Sequence, residues 1–344
     1  MIDTKVKIDL SRYDWAIGRS DVDEGVIRSK FPKLTDWVSG VDQPTMKELS
    51  DFSLTTHVPI GYFFLDSPPR ELDRSVKSLF RQPQSLPSRN LLDTSIRMLN
   101  LQDWMGYYHV TGGDTGNGFF QSLKITAPFG DMANEIRDGL GIGIDWFANQ
   151  PDTQSNFDFI RSKMQHLGIT VMTGGVVGSD ATRPLDINEF RAFTMVDHYA
   201  PLIFINDNDT PTARIFCLIH ELVCVGIGIN DLFHGNVDND FALRNHMEIT
   251  LPVTAEILLP IGLFNSLWHA NKSANILKTV SVLAKYFKVS EFAIARRALE
   301  GQYVSEDEYN QIAHKTLPKV SDESVNDATD GERNAVDTFL YQFD

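Results

Sequence analysis

A chain of 344 residues with 42% hydrophobic side chains carries enough apolar material for two or three packed domains, or one large one with an appendage. Its 31 basic and 46 acidic side chains leave a net charge of −15, which argues against a general electrostatic grip on nucleic acid. No apolar run reaches the ~20 residues a membrane helix needs, no basic-then-apolar leader opens the chain, and cysteines number only 2, so the cytoplasm is the expected compartment.

Residues 1–66 predict a small helical unit. LSRYDWAIGRS begins with helix-like spacing, and FPKLTDWVSG follows, closed by Gly40. A further helix starts at Pro44-Thr45 and carries Leu49, Phe52 and Leu54. The apolar segment HVPIGYFFL is then stopped by Pro68-Pro69, which cannot continue a helix. A linker rich in Pro, Ser, Arg and Gln follows over 67–90. In the helical region up to about residue 150, Leu92, Ile96, Leu99, Trp104 and Tyr107 fall at helical spacing. The run TGGDTGNG lacks the G-x-x-x-x-G-K-[ST] pattern of a phosphate loop and reads as a flexible connection. DMANEIRDGLGI and NFDFIRSKMQHLGI are two more helices ended by glycine.

The period then changes. Ile169–Met172, Phe190–Met195 and Pro201–Asn206 read as three short strands, the last ending in the acidic turn NDND. After them comes PTARIFCLIHELVCVGIGI. Thr210 is a good N-cap, and Pro211 fits the first helical position because its missing N–H would be unpaired there. The helix is apolar almost all round, so it should be buried, with Phe216 and Leu222 in the core. It carries His220 and Glu221 in the sequence H-E-L-V-C. A helical H-E-x-x-H sets two imidazoles one turn apart to bind zinc and places the Glu as general base. Here Cys224 stands at the second histidine position, on the same third of the helix as Cys217, His220 and Glu221. A thiolate is a legitimate zinc ligand. The alternative is that Cys217 and Cys224 are ordinary buried small hydrophobes beside the remnant of a site. Beyond the motif, INDLFHGNVDNDF reads as a polar loop and VTAEILLP as a helix stopped at Pro260. Two amphipathic helices around Lys288-Val289-Ser290 match either a compact helix-turn-helix using Arg296-Arg297 or packing against the core, and the tail from Asp322 is acidic and polar.

From about Leu34 to Glu308 the chain resembles ImmA/IrrE-type proteins, zinc metallopeptidase-like regulators, with an N-terminal Xre-type helix-turn-helix-like unit. The residues that carry the resemblance are WVSGVDQPT, VPIGYFFL, LPSRNLLDTSIRMLNLQDWM, RPLDINEFRAFTMVDHYAPLIFIN, ARIFCLIHELVC, TAEILLP and LAKYFKVSEFAIARRALEGQYVSEDEY. It implies an α+β fold: a zincin-like small sheet with packed helices over 151–262, preceded by the small all-helical Xre-like domain (1–66) and the linker and helical region (67–150). A C-terminal helical unit (263–321) and the tail (322–344) complete the chain. It also implies a metal site of His220, Cys224 and a glutamate from the helix ending in TAEILLP, with Glu221 as the catalytic base and the pair facing a cleft.

The sequence departs from that pattern at Cys224, at the expected Asn of that last helix, and at Pro252, which sits where helix should run. Glu248 is the nearest candidate third ligand, about one residue out of register, which turns a helix by about 100°. His246 and His234 lie nearby as substitutes. Gly226 and Gly228 weaken the end of the motif helix. Zinc is therefore expected at low occupancy. The expected role is a binding protein of a phage, mobile-element or toxin–antitoxin locus that holds a repressor or toxin, with weak DNA binding and no membrane. The alternative is an endopeptidase that cleaves a repressor through the variant His/Cys/Glu site. The stretch at the family's recognition helix, DVDEGVIRSK, offers only Arg28 and Lys30 to phosphate.

Overall fold

A computed structural model describes residues 4–67, 87–233, 241–273 and 275–316. In chain order the helices are α1 (Ser11–Arg19), α2 (Glu24–Lys30), α3 (Leu34–Ser39), α4 (Met46–Thr56), α5 (Arg89–Gly112), α6 (Phe129–Leu140) and α7 (Thr153–His166). Strands β1 (Thr170–Gly174), β2 (Val176–Val177), β3 (Asp180–Pro184), β4 (Ala192–Met195) and β5 (Leu202–Asn206) follow. The motif helix α8 (Pro211–Ile227) leads to β6 (Asp231–Phe233), α9 (Phe241–Leu258), α10 (Ile261–Ala270), α11 (Ile276–Phe287), α12 (Glu291–Glu300) and α13 (Glu306–Thr316). The chain divides into two compact units, Met1–Leu99 with Val176–Pro184, and Asn100–Gly175 with Leu185–Asp344.

In the first unit, α1–α4 and a 3-10 turn at Ile60–Phe64 enclose an aromatic core of Tyr13, Phe31, Trp37, Phe52 and Phe63. Helix α4 begins with a capping box in which Thr45 and Glu48 satisfy each other's backbone N–H groups. Of the three apolar residues expected on that helix, Leu49 and Phe52 are buried, whereas Leu54, two positions on and so about 200° round, is exposed. Both carboxylate oxygens of Asp21 accept from the first N–H groups of α5, at Arg89 and Asn90. The antiparallel hairpin β2–β3 belongs to this unit, and Arg183 from β3 pairs with Asp93 at 2.7 Å.

In the second unit the sheet order is β1-β5-β4-β6, with β1 parallel to β5 and both other pairings antiparallel. The three expected strands are β1, β4 and β5. Strand β5 is buried at all five positions and alternates on neither face, as a strand covered on both sides must. Helix α8 packs on β4 and β5 and against α7 and α9. Thr210 caps it by accepting from Ala213 N–H, Pro211 occupies the first turn, and Gly228 ends it in the left-handed conformation at φ 76°. The two glycines expected to weaken this helix have another role. A Cβ at Gly226 would meet the Leu123 side chain at 2.4 Å, and Leu123 N–H donates to the Gly226 carbonyl, so glycine lets the 119–123 segment lie against the helix end.

Helix α9 runs through Pro252, contrary to the break expected there. Arg297 of α12 reaches back to the C-terminal end of α9, donating to Glu256 at 2.7 Å and to the Leu259 carbonyl. That assigns the basic pair's second member to helix packing. Among the described residues no single helix is long and apolar enough to cross a membrane.

Leu222 is fully buried, whereas Phe216 is only partly so. Leu222→Ala should cost roughly 2–5 kcal/mol of stability by the usual penalty for emptying a packed core position, and Phe216→Ala clearly less. Denaturant unfolding of the two variants checks this ranking.

Candidate metal centre

Helix periodicity places His220 and Cys224 one turn apart on α8, and the structure turns both away from solvent. His220, Glu221 and Cys224 are 0% exposed, so they face no open cleft, contrary to expectation. The ring of His220 is wedged between Phe216 and Phe233, 4.6 Å from the centroid of the latter.

What meets it is a residue that sequence reasoning assigned to a polar loop. Asp231 opens β6, whose pairing with Thr194 on the buried strand β4 carries it into the interior at 2% exposure. His220 Nε2–H donates to Asp231 Oδ2 at 3.0 Å, and His246 Nε2–H of α9 donates to Asp231 Oδ1, also at 3.0 Å. An ionised carboxylate only accepts, so both histidines carry the proton on Nε2 in this arrangement. Neither Nδ1 has a hydrogen-bond partner among the described residues. Burial alone would raise the Asp231 pKa, but the hydrogen bonds from the two histidines outweigh it and hold the carboxyl well below its usual range.

Cys224 Sγ lies 3.7 Å from the same His220 Nε2 that faces Asp231. That detail decides between two chemistries. A Cys–His–Asp relay needs the thiol on one ring nitrogen and the carboxylate on the other. Here both address one nitrogen, and a single proton cannot serve both. The three donor atoms converge, all within 4.8 Å of one another, as ligands around one cation do. Imidazole, thiolate and carboxylate are also a donor set that zinc accepts. The group therefore fits a metal, with His220, Cys224 and Asp231 as the residues that would hold it. A cation there would polarise what it touches and tie α8 to β6.

Glu248 is exposed and is not part of this group. It lies two residues beyond the inward-facing His246, about 200° around the helix, so the two cannot point the same way. The carboxylate that stands by His220 and Cys224 comes from β6 and not from α9. Of the two substitutes named from sequence, His246 is in the cluster, and His234 lies outside the described residues.

Glu221 points elsewhere. Its Oε2 accepts from Thr194 Oγ1–H of β4 at 2.5 Å, and Oε1 has no hydrogen-bond partner among the described residues. Burial, reinforced by the Asp231 charge, pushes its pKa well above the ordinary value despite the Thr194 hydrogen bond. Cys217 is buried and outside the donor group, and burial pushes its thiol up as well.

Thr194 was not visible as a functional residue because a threonine in a strand is ordinary. Asp231 was masked by an acidic setting, INDLFHGNVDND, in which one carboxylate looks like the next. The only available signal was the Leu232-Phe233 pair beside it. Thr194→Val should leave the Glu221 carboxyl unsatisfied in the core and cost roughly 1–3 kcal/mol, measurable by urea unfolding.

No curated protein and no solved structure matches the chain. Residues 165–299 match the model of the peptidase M78 family, described as the IrrE N-terminal-like domain. The matched stretch begins near the end of α7 and ends within α12, so it contains His220, Glu221, Cys224, Asp231 and His246 together. Over that stretch, 165–299, the chain is similar to the ImmA/IrrE metallopeptidase-like family.

Proposed function

We propose that this chain is an ImmA/IrrE-like regulatory protein that works by holding a protein partner and does not cut peptide bonds. The observation that carries the reading is the burial of the whole group. A peptidase has to bring a scissile carbonyl to within bonding reach of its metal and its base. His220, Glu221 and Cys224 have no exposed surface at all, and Glu221 is engaged with Thr194 behind the motif helix. A repressor or a toxin of a phage, mobile-element or toxin–antitoxin locus is the partner class that the family resemblance suggests.

The N-terminal unit is read as a helical scaffold of the Xre type with little grip on DNA. Three of its cations stand beside carboxylates at the surface: Arg28 by Glu24, Lys33 by Glu48, and Lys5 by Asp42. With a net charge of −15, few cations remain to displace counterions from a phosphate backbone. An electrophoretic shift assay at physiological salt should show no sequence-specific complex at nanomolar protein.

The peptidase alternative has one observation in its favour, the Oε1 of Glu221, which has no hydrogen-bond partner among the described residues. The test is Glu221→Gln assayed in two ways. Regulation by the locus in cells should be kept in the variant. Zinc-supplemented wild type should cleave neither peptide libraries nor its neighbour-encoded proteins. Cleavage by wild type that disappears in Glu221→Gln would reverse the assignment.

A further inference from the structure

We infer that the chain builds its own metal site from His220, Cys224 and Asp231, with His246 as the positioning residue that holds the carboxylate, and that this donor set is charge-neutral towards a divalent ion. It takes a divalent metal of the zinc class, and Glu248 has no part in it. The inference rests on the donor geometry and not on the regulatory reading, although the two agree.

Three observations carry it. The first is spacing. A tetrahedral cation with ligands at about 2.0–2.3 Å keeps its donors roughly 3.3–3.8 Å apart. His220 Nε2 stands 3.0 Å from Asp231 Oδ2 and 3.7 Å from Cys224 Sγ. All three donor atoms lie within 4.8 Å of one another, so the group gathers around a single ion once the side chains adjust to it. The second is orientation. His246 Nε2–H donates to Oδ1 of Asp231, leaving Oδ2 to His220. A hydrogen bond to a ligating carboxylate or imidazole commonly governs affinity by ten- to a hundred-fold.

The third is charge. Asp231 as carboxylate and Cys224 as thiolate together supply two negative charges, and His220 supplies none, so a divalent cation closes the group at zero. A set of two histidines and one carboxylate would leave one positive charge on the metal group. In a buried setting the neutral set costs less to desolvate. Thiolate and imidazole donors select zinc-class ions over magnesium or calcium. On binding, the Zn–S bond forms as the Cys224 S–H bond breaks, and that proton leaves to the buffer. The His220 proton passes from Nε2 to Nδ1, which has no hydrogen-bond partner among the described residues.

The consequence for the fold is a tie from the middle of α8 to the start of β6, the edge strand of the sheet. Metal should therefore stabilise the folded chain in addition to occupying it.

The experiment is reconstitution of the full-length protein with zinc, and separately with cobalt as a visible probe, followed by metal analysis, absorption spectra and thermal melting with and without chelator. Wild type should hold one metal per chain, show a thiolate-to-cobalt charge-transfer band, and melt lower after chelation. Cys224→Ser should lose that band. Asp231→Asn should weaken zinc by at least ten-fold, and Glu248→Gln should bind as wild type does. Should Asp231→Asn fail to fold by circular dichroism, His246→Gln carries the same question and should weaken zinc about ten-fold with the carboxylate still in place. Wild type that takes up no zinc, or Glu248→Gln that loses metal while Asp231→Asn keeps it, would overturn the assignment. Neither result touches the non-hydrolytic reading, which fails only on Glu221-dependent cleavage.

Discussion

The second unit depends on one buried carboxylate. Asp231 is ionised at 2% exposure, a condition that costs several kcal/mol unless every lone pair is addressed. It is met from two sides, by His220 of α8 on one oxygen and His246 of α9 on the other. Because the two donors come from different helices, the carboxylate fixes both to the first residue of β6. Removing either histidine would leave a charge uncompensated in the core, whereas replacing the whole group with apolar side chains would remove both the cost and the constraint. The cluster therefore specifies an arrangement more than it adds stability.

The rest of α8 is arranged so that this meeting is possible. Its N-terminus is held by the Thr210 cap and by the preceding turn, where Asp209 forms a buried pair with Arg191 at 2.6 Å just before β4. Its C-terminus is approached closely by Phe119–Leu123, where a Cβ at 226 would meet the Leu123 side chain. Between these ends, Glu221 is pinned to Thr194, and the pairing of Thr194 with Asp231 across β4 and β6 puts the partners of Glu221 and His220 on neighbouring residues of one sheet. The polar residues of an otherwise apolar helix are thus spent on register between helix and sheet.

Much of this was legible in the sequence, and the limits have physical causes. Helix α8 declared itself through Thr210, Pro211 and the unbroken apolar run, and β5 through PLIFIN, because caps and burial act locally. The position of Cys224 beside His220 followed from a period of 3.6 residues. Asp231 did not, because its role comes from strand pairing with β4, a long-range contact that no local pattern encodes. Glu248 was favoured for its nearness to a family register, but on a continuous helix the inward-facing position is decided by which residues pack, and His246 and Met247 are buried where Glu248 is not. Pro252 misled for a related reason. A proline interrupts a helix by about 3 kcal/mol, and a helix buried with Leu251, Val253 and Ile257 in the core has packing energy to absorb that.

Keeping a His-Glu pair inside a helix is commonly taken as a sign of hydrolysis, yet both side chains have structural duties here. His220 donates to a buried carboxylate and fills the space between Phe216 and Phe233. Glu221 closes the gap between α8 and β4. Either residue replaced by an apolar one would strand a polar partner, Asp231 in one case and Thr194 in the other, so the pair can be maintained by the fold alone. Cys224 is where the two demands part. A histidine there would bring a second neutral donor and leave a positively charged metal group. A thiolate would instead cancel the second charge of a divalent ion at a buried position. In the site inferred above, the substitution that weakens the resemblance to a peptidase would thus be the one that suits a buried centre.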